Sequence, residues 1–564
     1  MGSIGAMSEQ NTAPLSDWQS KVAQKRQQCL EAIPREWQLP SDISKLLAFP
    51  LEKNLNRLLS MDIVRKSGIL SEREISITED YTVPQLLAKL ASGEFTSVEV
   101  TTAFSKRAAI AQQLTSCLTE TFFDSALQRA KYVDQCRSEG KVLGPLHGLP
   151  ISVKDSFQTV GTEASIGFVS FLGKKSKENS PLVDILLNLG AVLYVKTNIP
   201  QTLMTADSDN NIFGRALNPQ NTALNAGGSS GGEGALVAFR GSPLGIGTDV
   251  AGSIRIPALC CGTYGFKPTS SRIPYGGQAT PGLPGWKPIL ACAGPLANDF
   301  EALEVLTKSV IDSVPATLDS TAIDVPWRQL EQKAETKLRI GVLAEDPLYP
   351  LHPPVKRALA EAVNRLKGQG HQVIQLSAEQ GHVADATELA CELFSLETDT
   401  PRGHILASGE PPVPSVAAGH RPANFGSYKF LRDIGNLDKL KKYAALSVKR
   451  QELCEDWRKI WSEEKLDVVI SPAAQNTAVP HDTYGWPAYS AFVNVLDYPA
   501  CVLPFSKASQ QLDPEPLQIQ PGQAGPHYDP QMQDGAPCSI QIFTSRMRDE
   551  ECISAARIIE KCLR

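Results

Sequence analysis

Apolar runs of strand length alternate with runs of helix length along most of this 564-residue chain, and no other feature restricts its fold as strongly. Segments 149–154, 191–196, 244–248, 338–343, 466–470 and 539–543 read as strands, and 180–189, 233–239, 354–366 and 549–562 as helices. Thr96-Ser-Val-Glu99 has the form of a capping box ahead of Val100, Phe104, Ala108 and Ala111, which share one helix face. Ser180-Pro181 offers an N-cap and a first-turn proline, and Gly190 a stop, for the helix that leads into 191–196. Continued alternation predicts the α/β class: a large mixed β-sheet covered by helices on both faces, in an α/β/α arrangement. No internal repeat of fixed period is visible. Between 511 and 537 the chain is crowded with Pro, Gln, Gly and Asp, which predicts an exposed irregular loop that tolerates change.

Bulk properties narrow the function classes. With 55 basic and 61 acidic residues and no long run of one sign, the chain has no electrostatic footprint for nucleic acid or an anionic membrane. The opening residues lack a basic start and an apolar stretch, and Ala6 stands where a myristoylation signal needs Ser or Thr. A cytoplasmic protein without a lipid anchor is expected. Twelve cysteines without CxxC spacing, including the adjacent Cys260 and Cys261, read as reduced thiols rather than disulfides or a zinc site.

Two glycine-containing turns carry the chemistry-bearing signal. Gly227-Gly-Ser-Ser-Gly-Gly232 alone has the composition of a flexible linker. Its place before the helical 233–239, and the second turn at Gly252-Ser253 after the next buried strand, instead suggest backbone approaching a ligand closely. Neither turn has the Gly-Lys-Ser/Thr of a P-loop, and Gly245-Ile-Gly247-Thr-Asp-Val250 fails the dinucleotide fingerprint at its last glycine. Gly228-Ser-Ser230-Gly-Gly232 satisfies the G-x-S-x-G elbow of α/β-hydrolase serine esterases, with Ser230 as nucleophile. That elbow must follow a buried strand and needs a histidine; 218–226 is not strand-like, and nothing marks His404 or His527 as a base.

The stretch from Gly144 to Pro274 resembles the amidase signature family. The residues that carry the resemblance are Gly144-Pro-Leu-His-Gly-Leu-Pro-Ile-Ser-Val-Lys-Asp155, Ala226-Gly-Gly-Ser-Ser-Gly-Gly-Glu-Gly-Ala235, Gly247-Thr-Asp-Val-Ala-Gly-Ser-Ile-Arg-Ile-Pro-Ala258 and Cys261-Gly-Thr-Tyr-Gly-Phe-Lys-Pro-Thr269. Ser67-Gly-Ile-Leu-Ser-Glu72 and the helix at 94–114 are similar to the N-terminal parts of fungal acetamidase-type members, so the resemblance covers most of the chain. It implies an N-terminal extension with helices at 1–80 and a catalytic domain at 81–564. It also implies a Ser-Ser-Lys triad with Lys154 as base, Ser229 as relay and Ser253 as the acylated nucleophile, a cis peptide before Ser229, and an oxyanion turn at Val250, Ala251, Gly252 and Ser253. A wall of the substrate site is expected from 202–211, Leu203 included, and from the region after Asn424. No metal, nucleotide or flavin is implied. A small linear amide is the expected partner, cleaved to carboxylate and ammonia, with room for a homodimer. An ammonia-releasing amidotransferase subunit is the alternative within the same fold.

The chemistry fits these residue types. An amide carbonyl is a weak electrophile, so the nucleophile must be sharpened, the oxyanion stabilised and the leaving nitrogen protonated. Lysine is a base only when neutral, and moving its pKa from about 10.4 to near 7 needs about 4 kcal/mol of desolvation or like-charge repulsion. Asp155 would oppose that shift if it faced the same side, but strand neighbours point opposite ways. A hydroxyl both donates and accepts, so Ser229 can carry a proton from Ser253 to Lys154 and return it. Acetamidase-type members more often have Gly where this chain has Ala251; a methyl there narrows the acyl pocket and is strained if the position needs positive φ. Thr248, Asp249 and Arg255 read equally as scaffold or as direct participants.

Overall fold

The computed structural model describes residues 16–331, 336–419 and 429–564. Its strands are β1 (Leu118–Thr121), β2 (Pro150–Lys154), β3 (Val192–Thr197), β4 (Leu244–Asp249), β5 (Tyr264–Lys267), β6 (Cys292–Ala297), β7 (Arg339–Leu343), β8 (Gln372–Leu376), β9 (Val468–Pro472), β10 (Ala500–Lys507) and β11 (Pro537–Phe543). They form one mixed sheet in the order β1-β3-β2-β4-β6-β5-β10-β11-β9-β7-β8. Strands β3, β2 and β4 run parallel to one another, as do β8, β7 and β9, with antiparallel pairs between the two sets.

Every residue of β2, β3 and β4 is buried, so both faces of this part of the sheet are covered, as expected for parallel strands with helical crossovers. Ile151 and Val153 of β2 join the main apolar core. Ser152 and Lys154, on the opposite face, meet polar groups instead. Because the three strands are parallel, their last residues Lys154, Thr197 and Asp249 reach the same edge of the sheet, where sites of open α/β folds gather. Trp37, Ile75 and Ile77 of the N-terminal part share the same core as Phe104. All twelve cysteines are free, and Cys260 and Cys261 are both buried. Among the described residues, no helix is long and apolar enough to cross a membrane.

Local expectations fared unevenly. The helix Ser97–Thr115 begins as predicted, with Thr96 Oγ1 accepting from Glu99 N at 3.1 Å. The reciprocal half of the box is absent, because the Glu99 carboxylate pairs with Arg73. The helix Pro181–Asn188 also forms, but Ser180 does not cap it: its hydroxyl donates to Gly277 O (2.7 Å) and accepts from Gln158 N (2.9 Å), tying two loops together. The 511–537 segment is irregular yet not merely exposed, since Asp513, Tyr528 and Gln533 are buried. Arg357 grips both oxygens of Asp513 at 2.8 Å, and Gln533 Nε2 donates to Thr477 Oγ1 and Ala478 O, so side chains satisfy the polar groups that a strand ladder would otherwise pair.

Candidate active site

At the C-terminal end of β2, Lys154 is fully enclosed, and its Nζ lies 2.7 Å from Ser229 Oγ and 2.7 Å from Thr248 Oγ1. Burial brings the Lys154 amine down to about 7, against the opposing pull of Asp249 and Glu233. Asp155 turns the other way, as strand geometry predicts: it accepts from Thr119 Oγ1 (2.7 Å) and from the backbone N–H of Ile166 (2.8 Å). Thr248, at the end of β4, therefore holds the amine directly rather than serving only as scaffold.

Residues 227–232 are buried without exception, which excludes a linker. The Gly228–Ser229 peptide is cis. Ser229 lines the larger of two cavities described below. Ser230, its neighbour, is fully buried; its hydroxyl donates to Thr248 O (3.4 Å) and accepts from Thr248 N (3.3 Å), locking the turn to β4. Neither of the two histidines weighed for that elbow bonds to it: His404 packs on Phe168 and Phe171, and His527 accepts from Ile519 N. The nucleophile elbow is thus a coincidence of sequence.

The second turn follows β4. Arg255 donates to both oxygens of Asp249 at 3.0 Å and to Gln541 Oε1 and Ser490 O. Burial alone would raise Asp249, but the Arg255 guanidinium, with Lys267 and Asn494, holds it far below the usual carboxylate range. That carboxylate accepts from the N–H of Gly252 (2.7 Å) and of Ile254 (3.1 Å), so it shapes the loop that carries Ser253. Asp249 and Arg255 are therefore scaffold. Gly252, placed in the expected oxyanion set, has its N–H committed to Asp249, and the N–H groups of Val250, Ala251 and Ser253 donate to no described group. Positive φ falls on Gly252 (118°) and not on Ala251, which is accordingly unstrained. A Cβ on Gly252 would also overlap Ser490 and Ile256.

Ser253 sits where two cavities meet. The larger, about 850 Å³, is lined by Ser229, Thr248 and Ser253 at its base and by apolar and aromatic groups above, among them Tyr275, Trp286 and Phe394. The smaller, about 300 Å³, is bordered by Ala251, Thr205, Asp207 and Thr483. Leu203, Val250 and Ser253 face both, while Gly252 faces neither. Thr202 and Leu203 are consecutive non-glycine residues with positive φ (76° and 61°), a sparsely populated conformation held at the cavity wall. Among the described residues no hydrogen bond joins Ser253 Oγ to Ser229 Oγ, although both line the larger cavity. The expected wall after Asn424 begins outside the described residues, which resume at 429. Sequence reasoning missed Glu233, which lies in the middle of one motif, and Trp486, which borders both cavities; a glutamate set among glycines and apolar residues was the available signal for the first.

Comparison with known proteins bears on this arrangement. The family model described as Amidase matches residues 99–553. An amidase of Gibberella moniliformis is 40% identical over 97% of this chain and 99% of the relative. An acetamidase of Emericella nidulans is 37% identical over 97% and 98%. Among solved structures, a fatty acid amide hydrolase superposes with a TM-score of 0.84 at 31% identity, covering 97% of this chain and 95% of that one.

Proposed function

This chain belongs to the amidase signature family and is an amidohydrolase, and from that premise we propose that it cleaves neutral linear amides through an acyl-enzyme on Ser253, with Ser229 as relay and Lys154 as base. The observation that carries the reading is the 2.7 Å contact between Ser229 Oγ and a wholly buried Lys154 Nζ. In the neutral amine, one N–H donates to Thr248 Oγ1 and the lone pair accepts the Ser229 proton. Rotation of the Ser253 side chain brings its O–H to Ser229 Oγ as substrate binds; catalytic hydrogen bonds commonly tighten only in the complex. Ser253 Oγ then attacks the carbonyl carbon while its proton passes to Ser229 and the Ser229 proton to Lys154. The oxyanion accepts from the N–H groups of Val250, Ala251 and Ser253. Collapse breaks the carbon–nitrogen bond, Ser229 protonates the departing nitrogen and recovers a proton from Lys154, and water releases the carboxylate by the reverse relay.

The two cavities divide the substrate between them. The larger, mostly apolar space suits an acyl group bigger than acetyl, and the smaller one, with a larger polar share that includes Thr205, Asp207 and Thr483, suits the departing ammonia and the incoming water. We assign the chemistry to residues 81–564 and treat 1–80 as an extension, of which Trp37, Ile75 and Ile77 pack into the core of that body. The partner is a small amide, with neither nucleic acid nor membrane engaged, in the cytoplasm; a homodimer is compatible with this reading. Ammonia release by the purified chain alone, across amides of increasing apolar acyl size, tests the proposal. Activity should rise from acetamide by up to about fourfold in kcat/KM per added buried methylene. Activity that needs added subunits would favour the amidotransferase alternative, and a preference for acetamide over all larger amides would overturn the assignment of the cavity.

A further inference from the structure

Glu233 lies on the helix Gly231–Ala238, fully buried, with its carboxyl seated against three adjacent strands. Its Oε2 is 2.6 Å from Ser152 Oγ on β2, and its Oε1 is 2.9 Å from Thr197 Oγ1 on β3. Ser152 stands two residues before Lys154 on the same face of β2, and Thr197 is the register partner of Lys154. On β4, Gly245 is the register partner of Ser152, and a Cβ there would overlap Glu233 Oε2. The notch that receives this carboxyl is therefore built from the immediate neighbours of the base.

The protons of the neighbouring hydroxyls admit a neutral carboxyl in this notch. Ser152 Oγ also lies 3.0 Å from Ser242 Oγ, and Ser242 Oγ donates to Leu244 O at 2.9 Å. With the Ser242 proton on Leu244 O, which only accepts, Ser152 gives its own proton to Ser242. In that arrangement the third contact, at 2.6 Å, needs a proton that neither serine has left, and a protonated carboxyl supplies it. Among the described residues only hydroxyls bond to Glu233, and no cation does.

We propose that Glu233 is held as a neutral carboxylic acid, and that its lack of charge is what allows Lys154 to serve as a neutral base. The inference rests on Lys154 acting as that base, which makes Glu233 a positioning residue rather than a catalytic one. Burial pushes Glu233 up to about 8, despite the hydroxyl hydrogen bonds and Lys154. Among the described residues, the titratable groups that face it are Lys154 on β2, Tyr194 on β3 and Cys117 ahead of β1; burial raises Tyr194 and Cys117, so of these Lys154 could offer it a positive charge. Lys154 itself faces Asp249 and Glu233. Asp249 is already bound by Arg255, and an ionised Glu233 would add a second negative charge beside the amine in a dry site, holding it as ammonium.

Infrared difference spectra of wild type against Glu233→Gln at pH 7 test the first half. A protonated-carboxyl C=O band present in wild type and lost in the variant is expected; carboxylate bands in its place overturn the proposal. Kinetics test the second half. Glu233→Gln should keep kcat within about threefold and leave the acid limb of the pH profile where it is, while Glu233→Ala loses about tenfold or more from the broken hydroxyl chain. An acid limb that moves down by about one pH unit in Glu233→Gln would show that a carboxylate charge had been raising Lys154, and would overturn the proposal. Turnover that survives Lys154→Met, with the band intact, would instead sink the base assignment and the second half with it.

Discussion

At the residue scale the account turns on one amine kept dry. The sign of its pH dependence follows directly: Lys154, brought down to about 7 by burial, is ammonium below that pH and has no lone pair to accept the Ser229 proton. Acylation should therefore fall about tenfold per pH unit below about 7 and level off above it, and Lys154→Met should lose roughly a hundred- to ten-thousandfold at neutral pH. A flat profile between about pH 5 and 8, with an active Lys154→Met, would show another group at work. Much of this was legible in the sequence. Lys154, Ser229 and Ser253 stand in recognisable motifs, and the divergence of Asp155 followed from strand alternation. Thr248 was visible but ambiguous, because a threonine at a strand end serves equally as ligand or scaffold. Glu233 left only a weak signal, a glutamate among glycines and apolar residues, since a helical glutamate ordinarily faces water and only tertiary packing seals this one beneath β2 and β3.

At the scale of elements, the site depends on long loops that are largely buried. The 198–226 connection carries almost no regular structure, and asparagine side chains replace the missing ladder. Asn198 Nδ2 donates to Ser116 O and Gly214 O, and Asn218 Nδ2 to Asn225 O and Cys260 O. Arg215 fastens this loop to the next wall by pairing with Asp207, Asp209 and Asp482. Burial raises Asp207 and Asp209 to about 6, so they depend on that guanidinium. Arg215→Met should destabilise the fold by about 3–5 kcal/mol in chemical denaturation, because it leaves buried carboxylates uncompensated. A loss under about 1 kcal/mol would mean that the cluster is solvated after all. The sequence predicted this stretch as loop but not its burial. It also hid several strands: β6 contains Gly294 and Pro295, β5 has four residues, and β10 shifts register just after Pro504. Proline and brevity remove the periodic signal that exposed β2, β4 and β11.

At the scale of the whole molecule, the eleven strands of the described residues form one sheet that brings three parallel strand ends to one edge, where two glycine-bearing turns, on either side of β4 in sequence, close over them. The α/β class was readable from the alternation of segments, whereas the meeting of two cavities at Ser253 was not, because their walls come from 202–207, 275–291, 394–419 and 482–487, segments whose juxtaposition only the fold decides. What unites these levels is a single claim, that Ser253 is acylated by an amide substrate. Rapid acid quench during turnover, followed by peptide mass spectrometry, tests it most directly. The account predicts the acyl mass on the peptide at Ser253 in the wild type and in Ser230→Ala, and none in Ser253→Ala; the acyl mass on Ser230, or no covalent adduct from any hydrolysed amide, would contradict it.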